Sequence, residues 1–248
     1  MMPYAVKNQQ LIRKFNRFEL KYILDLKTAT HLKTDILQYA LHDPHSNPDG
    51  KYTISSLYYD SPDFRFYREK LDGIRVRRKL RIRWYATPEG LKDDTVVFLE
   101  IKQRVDRVTQ KRRMPIKYKD ALLFCNEGII PEYDPQDAEL VEEVDSMLKS
   151  YMLKPTVITT YDRRAYVGTH YDMGFRLTFD NNIYYNASRN GGLYTDVKDG
   201  FIIPPNFVIM EIKTNERVPY WVTEIVAGHN LQLVRVSKYC LGVQKSFI

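Results

Sequence analysis

Cysteine, glycine-rich phosphate loops and long apolar runs are what this chain has least of, and each shortage removes a class of function. Two cysteines in 248 residues, Cys125 and Cys240, cannot make a disulfide framework, so reduced thiols are expected. No stretch reaches the roughly 18 apolar residues that a membrane-crossing helix needs. The segment Met1–Gln10 has no apolar signal core, so the expected location is cytoplasmic, without a membrane span. No Gly-x-x-x-x-Gly-Lys-Ser/Thr segment occurs, which excludes a P-loop nucleotide site. Histidine is sparse, and His42 and His45 share a turn-rich loop, His42–Gly50, with no further partner nearby. They read as surface polar residues rather than a metal pair. Cys240 lies beside Lys238 with no histidine near it in sequence, and reads as a buried thiol rather than a nucleophile.

Charge is what the chain does have. A formal net charge of +7, with 28% charged and 44% hydrophobic residues, describes a globular protein that leans toward polyanionic partners. The basic residues are spread over apolar-alternating segments rather than gathered in a tail, which argues against a disordered nucleic-acid arm. In Ile74–Trp84, five of them share one parity: Arg75, Arg77, Lys79, Arg81 and Arg83. On a strand these line one face, opposite Val76, Leu80, Ile82 and Trp84, with Arg78 as the exception. Like charges on neighbouring positions repel, so such a row needs an anion against it.

Four further segments share this grammar. Arg17, Glu19 and Lys21 alternate with Phe18, Leu20 and Tyr22; Glu100, Lys102 and Arg104 with Val97, Leu99 and Ile101. Arg176, Thr178 and Asp180 oppose Phe175, Leu177 and Phe179, and Glu211 and Lys213 oppose Val208, Met210 and Ile212. An antiparallel sheet with one wet side also produces such alternation. The scarcity of small neutral polar residues on these faces favours a bound anion instead.

The expected elements are a strand over about 13–24, a helix from Lys27 to Leu41, a strand from Tyr52 to Tyr59 and a short helix over Ser61–Lys70. In that helix Ser61 is the expected cap and Pro62 the first residue. Strands at about 74–85, 95–104 and 107–117 follow, then helices at 119–127 and 136–151. The second of these carries Leu140, Val141, Val144, Met147, Leu148 and Tyr151 on one stripe. Strands at 155–168, 173–180, 182–188 and 206–213, a helix from Pro219 to about 229, and a final strand over Val234–Tyr239 complete the chain. Eight or nine mostly antiparallel strands with a few helices make an α+β domain. If the sheet closes into a barrel, the charged face can be its interior, which an anion and a metal ion would have to neutralise.

Glu19–Tyr22, Ser56–Asp60, Leu80–Tyr85, Leu99–Lys102, Tyr161–Arg163, Arg176–Asp180, Glu211–Lys213 and Ser237–Tyr239 together resemble the polyphosphate-polymerase (VTC) domain of the triphosphate tunnel superfamily. The motifs stand in the family's order from about residue 13 to 243, so residues 1–248 are expected to form one such domain. The resemblance implies an α+β fold: an antiparallel, closed or nearly closed eight-stranded β-tunnel with a charged interior, flanked by helices. It implies an ATP-polyphosphate phosphotransferase that moves the γ-phosphate of ATP onto inorganic polyphosphate, with Mn²⁺ or Mg²⁺ as cofactor. Lys21, Arg81, Arg83, Lys102, Arg163, Arg176 and Lys238 fall on the family's phosphate-binding positions, Tyr161 and Ser237 on its phosphate-contacting hydroxyls, and Glu211 on its metal-binding glutamate. Arg235 matches a basic position by charge, and Lys111 by one of several alignments of Lys111–Arg113. Lys213 joins the substrate-binding residues by sharing a face with Glu211. ATP and polyphosphate are the expected partners, nucleic acid is not, and a membrane-associated partner is left unspecified. Eukaryotic members also carry an inositol-phosphate-sensing domain and membrane spans, which have no counterpart in these 248 residues.

The chemistry agrees with the pattern. Phosphoryl transfer rests on positioning and on neutralising charge, for which Arg offers a planar fork and Lys a mobile point charge. A polyphosphate terminus is largely ionised near neutral pH and needs no general base. Glu100 is expected as a counter-charge, Glu19 as either counter-charge or second metal ligand. Tyr58, Tyr59, Tyr184 and Tyr185 read as core or rim packing. The nearest rival function is a triphosphate tunnel hydrolase. Such relatives typically carry Glu-x-Glu-x-Lys in the first strand, where this chain has Arg17-Phe-Glu-Leu-Lys21. A non-catalytic polyanion binder is the other rival; it would need exposed aromatics on the basic faces.

Overall fold

The computed structural model describes residues 17–44, 46, 50–106, 108–188, 194, 197–215 and 217–248, with Arg17 described by its backbone alone. Ten strands run in chain order: β1 (Arg17–Asp25), β2 (Ala40–His42), β3 (Lys51–Asp60), β4 (Val76–Tyr85), β5 (Val96–Val105), β6 (Val108–Lys117), β7 (Lys154–Gly168), β8 (Arg176–Ala187), β9 (Gly200–Phe201) and β10 (Phe207–Asn215). Eight of them form one antiparallel path, β1-β10-β8-β7-β3-β4-β5-β6, with β2 added to β7 and β9 to β8. The two ends of that path, β1 and β6, come back alongside each other. Among the described residues no backbone ladder joins them. The gap is spanned from the strand next to β6: the Lys102 ammonium of β5 lies 3.0 Å from the Glu19 carboxylate of β1. The result is a nearly closed tunnel, as expected.

Its layering is inverted relative to a common barrel. The apolar parity of each strand faces outward, under helices, and most of the charged parity faces in. One outer core joins Leu57, Leu80, Ile82, Trp84, Val97 and Leu99 to helices α2 (Arg65–Leu71), α3 (Tyr118–Glu127), α4 (Ala138–Tyr151) and α6 (Lys238–Phe247). A second joins Tyr22, Leu177, Phe179, Val208, Met210 and Ile212 to α1 (Leu26–Ile36) and α5 (Tyr220–Gly228). Each fully buried side chain of this size contributes about 1.5–3 kcal/mol, so the helices are what hold the wall in shape. A third, smaller cluster joins Ile54, Tyr161, Ile183 and Ile209 to Ile202 and Ile203. Ile54, Tyr161 and Ile209 share the parity of the charged residues, so part of the interior is filled with apolar side chains.

Several expectations need correction. The first helix stops at Ile36, not Leu41, because Ala40–His42 pairs with Tyr166–Gly168, the part of β7 that overhangs β3. Helix α2 begins at Arg65 rather than at Pro62. The Ser61 hydroxyl still accepts from Arg65 N at 2.9 Å, and the Asp60 carboxylate accepts from the backbone N–H groups of Phe66 and Tyr67. The two strands expected at 173–180 and 182–188 are one continuous strand, β8, with Asn182 at φ 49° where the β7 register shifts. The expected last strand over Val234–Tyr239 is an extended segment leading into α6. It touches β1 through Val234 N, which donates to Lys21 O at 2.8 Å, and through Val236 O, which accepts from Lys21 Nζ at 3.3 Å. The expected strand residues before Arg17, and His45, lie outside the described residues.

Candidate functional site

Strand parity delivers the inward residues, and the helix at the chain's end completes the cavity. A cavity of about 100 Å³ is lined by Glu19 and Lys21 of β1, Tyr58 of β3, Lys79, Arg81 and Arg83 of β4, Lys102 of β5, Tyr161 and Arg163 of β7, Glu211 and Lys213 of β10, and Ser237, Lys238 and Tyr239 at the start of α6. Eight of these are cations. Two carboxylates, Glu19 and Glu211, stand in the wall, and Glu100 and Asp180 sit just behind it, which leaves a formal surplus of four positive charges.

The rear carboxylates fix the guanidinium groups. Glu100, fully buried, accepts from Arg81 Nε at 2.8 Å and from Lys111 Nζ at 3.2 Å, and lies 4.0 Å from Arg83. Asp180, also fully buried, accepts from Arg163 Nε and Nη2 at 2.6 and 2.7 Å and from Lys238 at 2.6 Å. Arg81 Nη1 donates to the Tyr58 hydroxyl at 3.0 Å, and Arg83 donates to Ser56 at 3.2 Å and to the Tyr161 hydroxyl at 3.3 Å. Long flexible cations are thereby held as rigid donors, which removes the cost of ordering them around an anion.

Electrostatics follow the same division. Burial would raise the carboxyl pKa of Glu19, but Lys102 opposes it, and with Lys21 and Lys213 brings it down to about 2 against the push of Glu211. Glu211 is held well below the ordinary range, burial being outweighed by Lys213, Lys21 and Lys102. Burial lowers Lys79, Lys102 and Lys213, and pushes Lys111 down to about 7. Burial opposes ionisation of the Tyr58 phenol, yet Arg81, Arg83 and Lys79 outweigh it and bring its pKa down to about 8. The shifts of Glu19, Glu211 and Tyr58 reflect the cations around them, and those of the lysines chiefly their burial.

Helix α6 supplies what strands cannot. Ser237 caps it, accepting from Cys240 N at 3.3 Å, and also accepts from Lys79 Nζ at 2.9 Å. The N-terminus of the helix therefore faces the cavity, and its dipole adds to the positive potential. Tyr239 hydrogen-bonds to Asp60, the residue that caps α2, which ties α6 in place. The Lys79 ammonium lies 4.6 Å from the centre of the Tyr239 ring.

Of the residues expected at the site, Lys21, Arg81, Arg83, Lys102, Tyr161, Arg163, Glu211, Lys213, Ser237 and Lys238 share this cavity. Lys111 is outside this lining, exposed on β6, and donates to Glu100. Arg176 is at one mouth, where it pairs with Asp43 at 2.5 Å and donates to Tyr52 at 2.9 Å. Arg235 is exposed outside the cavity, near Lys70 and Arg77. Of the basic row on β4, Arg75 precedes the strand, is exposed and pairs with Asp106 at 2.7 Å. The Arg17 side chain lies outside the described residues. Lys79, Tyr58, Tyr239 and Asp180 join the site without having been assigned there; Glu19, expected as counter-charge or second metal ligand, and Glu100, expected as a counter-charge, stand with them. Lys79 was visible by parity, and Asp180 by sharing a face with Arg176.

The donors for a cation are limited. Glu19 and Glu211 belong to adjacent strands in a ladder that pairs Lys21 with Glu211 and Glu19 with Lys213. Both stay ionised, and carboxylate oxygens suit a hard divalent cation. No group of three or more His, Cys, Asp or Glu side chains placed to hold a metal occurs among the described residues. The chain's own donors therefore fit Mn²⁺ or Mg²⁺ with water and phosphate oxygens supplying the remaining ligands.

Comparison with known proteins agrees with this geometry. The family model described as the VTC domain matches residues 16–247. Vacuolar transporter chaperone complex subunit 4 of Schizosaccharomyces pombe is 26% identical over 283 aligned positions, covering 95% of this chain and 38% of that protein. The protein of the same name from Trypanosoma brucei brucei is 26% identical over 221 positions, covering 77% of this chain and 28% of that one. The chain thus spans about a third of the length of these relatives. Among solved structures, a candidate adenylate cyclase from Bacillus halodurans superposes with a TM-score of 0.52 at 16% identity, covering 94% of this chain and 99% of its own. A candidate adenylyl cyclase from Hippeastrum with a dominant triphosphatase activity superposes at 0.51 and 12% identity, covering 94% and 96%. These likenesses show the fold. No helix among the described residues is long and apolar enough to cross a membrane.

Proposed function

The chain belongs to the VTC domain family, and from that premise we propose that it is a metal-dependent phosphotransferase of the triphosphate tunnel type, moving the γ-phosphate of ATP onto a growing inorganic polyphosphate chain. The observation that carries this reading is the surplus of inward cations held by buried carboxylates, a charge close to that of an ionised triphosphate. Arg81, Arg83, Lys102, Arg163 and Lys238 would bind the transferring group and its neighbours. Lys21, Lys79, Lys213, Tyr161 and Ser237 would align donor and acceptor phosphates along the tunnel, which converts a bimolecular transfer into a positioned one. Glu211, with Glu19, would hold Mn²⁺ or Mg²⁺, whose chemistry is to neutralise charge on the phosphate oxygens. The acceptor terminus is already ionised, so no residue need remove a proton. Arg176, at the mouth, would guide an entering anion rather than contact the transferring group.

The test is direct. Purified protein with ATP and Mn²⁺ should release ADP and accumulate an acid-labile phosphate polymer, faster when short polyphosphate is added. Arg81→Ala should lower kcat at least ~100-fold, the typical cost of losing one preorganised donor. Orthophosphate as the only product, at the same rate with or without acceptor, would replace this reading with a tunnel hydrolase. Tight polyphosphate binding with no turnover of any triphosphate would replace it with a binding module.

A further inference from the structure

One mouth of the tunnel differs chemically from the phosphate cavity. Three aromatic residues gather there on inward-facing positions: Tyr52 of β3, Tyr85 at the end of β4 and Phe98 of β5. Their ring centres are separated by 5.8 Å (Tyr52 to Tyr85) and 6.2 Å (Tyr85 to Phe98). The Arg113 guanidinium lies 4.7 Å from the Phe98 ring, and Arg176 donates to the Tyr52 hydroxyl. In the ladders Phe98 is the direct partner of the cavity residue Arg83, and Tyr52 that of Arg163. Tyr85 is 39% exposed, so the group is reachable from solvent. At the opposite end of β4 stand Arg77 and, across the ladder, Arg104, with Arg235 and Lys70 near Arg77.

We infer that Tyr52, Tyr85 and Phe98 form a stacking platform for the base of the donor nucleotide, which fixes the donor's direction in the tunnel: base at this mouth, γ-phosphate toward Lys79 and α6. This rests on the proposed triphosphate-binding function and deepens it. Aromatic faces accept any base through stacking, and flanking arginines add cation–π attraction and neutralise the adjoining phosphates. Inorganic polyphosphate has no ring to stack, so the platform separates donor from acceptor by chemistry alone. The basic far end then suits the growing chain.

Titration calorimetry with ATP and with inorganic tripolyphosphate, in wild type and in Tyr85→Ala/Phe98→Ala, tests the assignment. The double variant should weaken ATP binding tenfold or more, as loss of base stacking does, and leave tripolyphosphate binding within twofold, which also shows that it folds. Tyr85→Phe, which keeps the ring, should keep the ATP affinity. Equal loss for both ligands, or no loss for ATP, would overturn the platform while leaving the tunnel function standing. Wild-type protein that binds neither ligand would overturn the tunnel function and the platform with it.

Discussion

Removing the charge of Glu100 should loosen the whole cavity. Glu100→Gln keeps size and shape but leaves Arg81, 8% exposed and bonded to Glu100 through two nitrogens at 2.8 and 2.6 Å, without its counter-ion. Lys111 and Arg83 lose the same partner. Breaking a buried pair by removing one side costs about 3–5 kcal/mol, because a charge remains buried and uncompensated. For a domain of this size each kcal/mol lowers Tm by about 2–4 °C, so a fall of about 6–20 °C is expected in thermal unfolding at pH 7. Inorganic tripolyphosphate should restore more of the loss than it adds to wild type, because ligand stabilisation grows with affinity and the variant cavity is one charge more positive. A Tm within about 2 °C of wild type, or an equal gain from tripolyphosphate in both proteins, would refute the view that Glu100 is the fixed counter-charge of this site.

Two further outcomes follow from the wall carboxylates. Glu211→Gln should abolish Mn²⁺-dependent turnover while tripolyphosphate binding in chelator is kept or tightened, since a negative charge leaves the cavity; unchanged turnover would shift the metal site to Glu19. Glu19 titrates at about 2 in the folded protein against an ordinary value of 4.5, so its stabilisation is complete above pH 4.5 and disappears as pH falls toward 2, about 3 kcal/mol in all. Urea unfolding of wild type and Glu19→Gln across that window should converge toward low pH, and parallel curves would contradict the shift.

Alternation carried most of this structure, and it failed where alternation is not the rule. Lys21, Arg81, Arg83, Lys102, Glu211 and Lys213 each stand opposite an apolar neighbour that packs under a helix, so their direction was readable. Tyr58 was not, because Ile54–Asp60 of β3 is buried on both faces and its two serines, Ser55 and Ser56, fall one on each. Ser237 and Lys238 were placed on a strand. In fact the buried stripe Tyr239, Cys240, Gly242 and Val243 has helical spacing, and Ser237 is the cap that starts it. Arg176 and Arg75 share the parity of their neighbours but lie at strand ends, where an inward-facing position opens onto a mouth or a loop. Position along the tunnel axis is a property of stagger between strands, which no single segment encodes.

The seam between β1 and β6 gives the ring an unusual mechanical property. A cylinder closed by backbone ladders has a girth set by its strand count, whereas here no ladder joins the edges among the described residues, and Lys102 of β5, the strand next to β6, reaches across to Glu19 of β1, two side chains that also face the lumen. Any polyanion that draws the Lys102 ammonium to itself competes with the latch. Filling would therefore slacken this contact: the tighter a polyanion were held at Lys102, the less that side chain would draw Glu19 toward it.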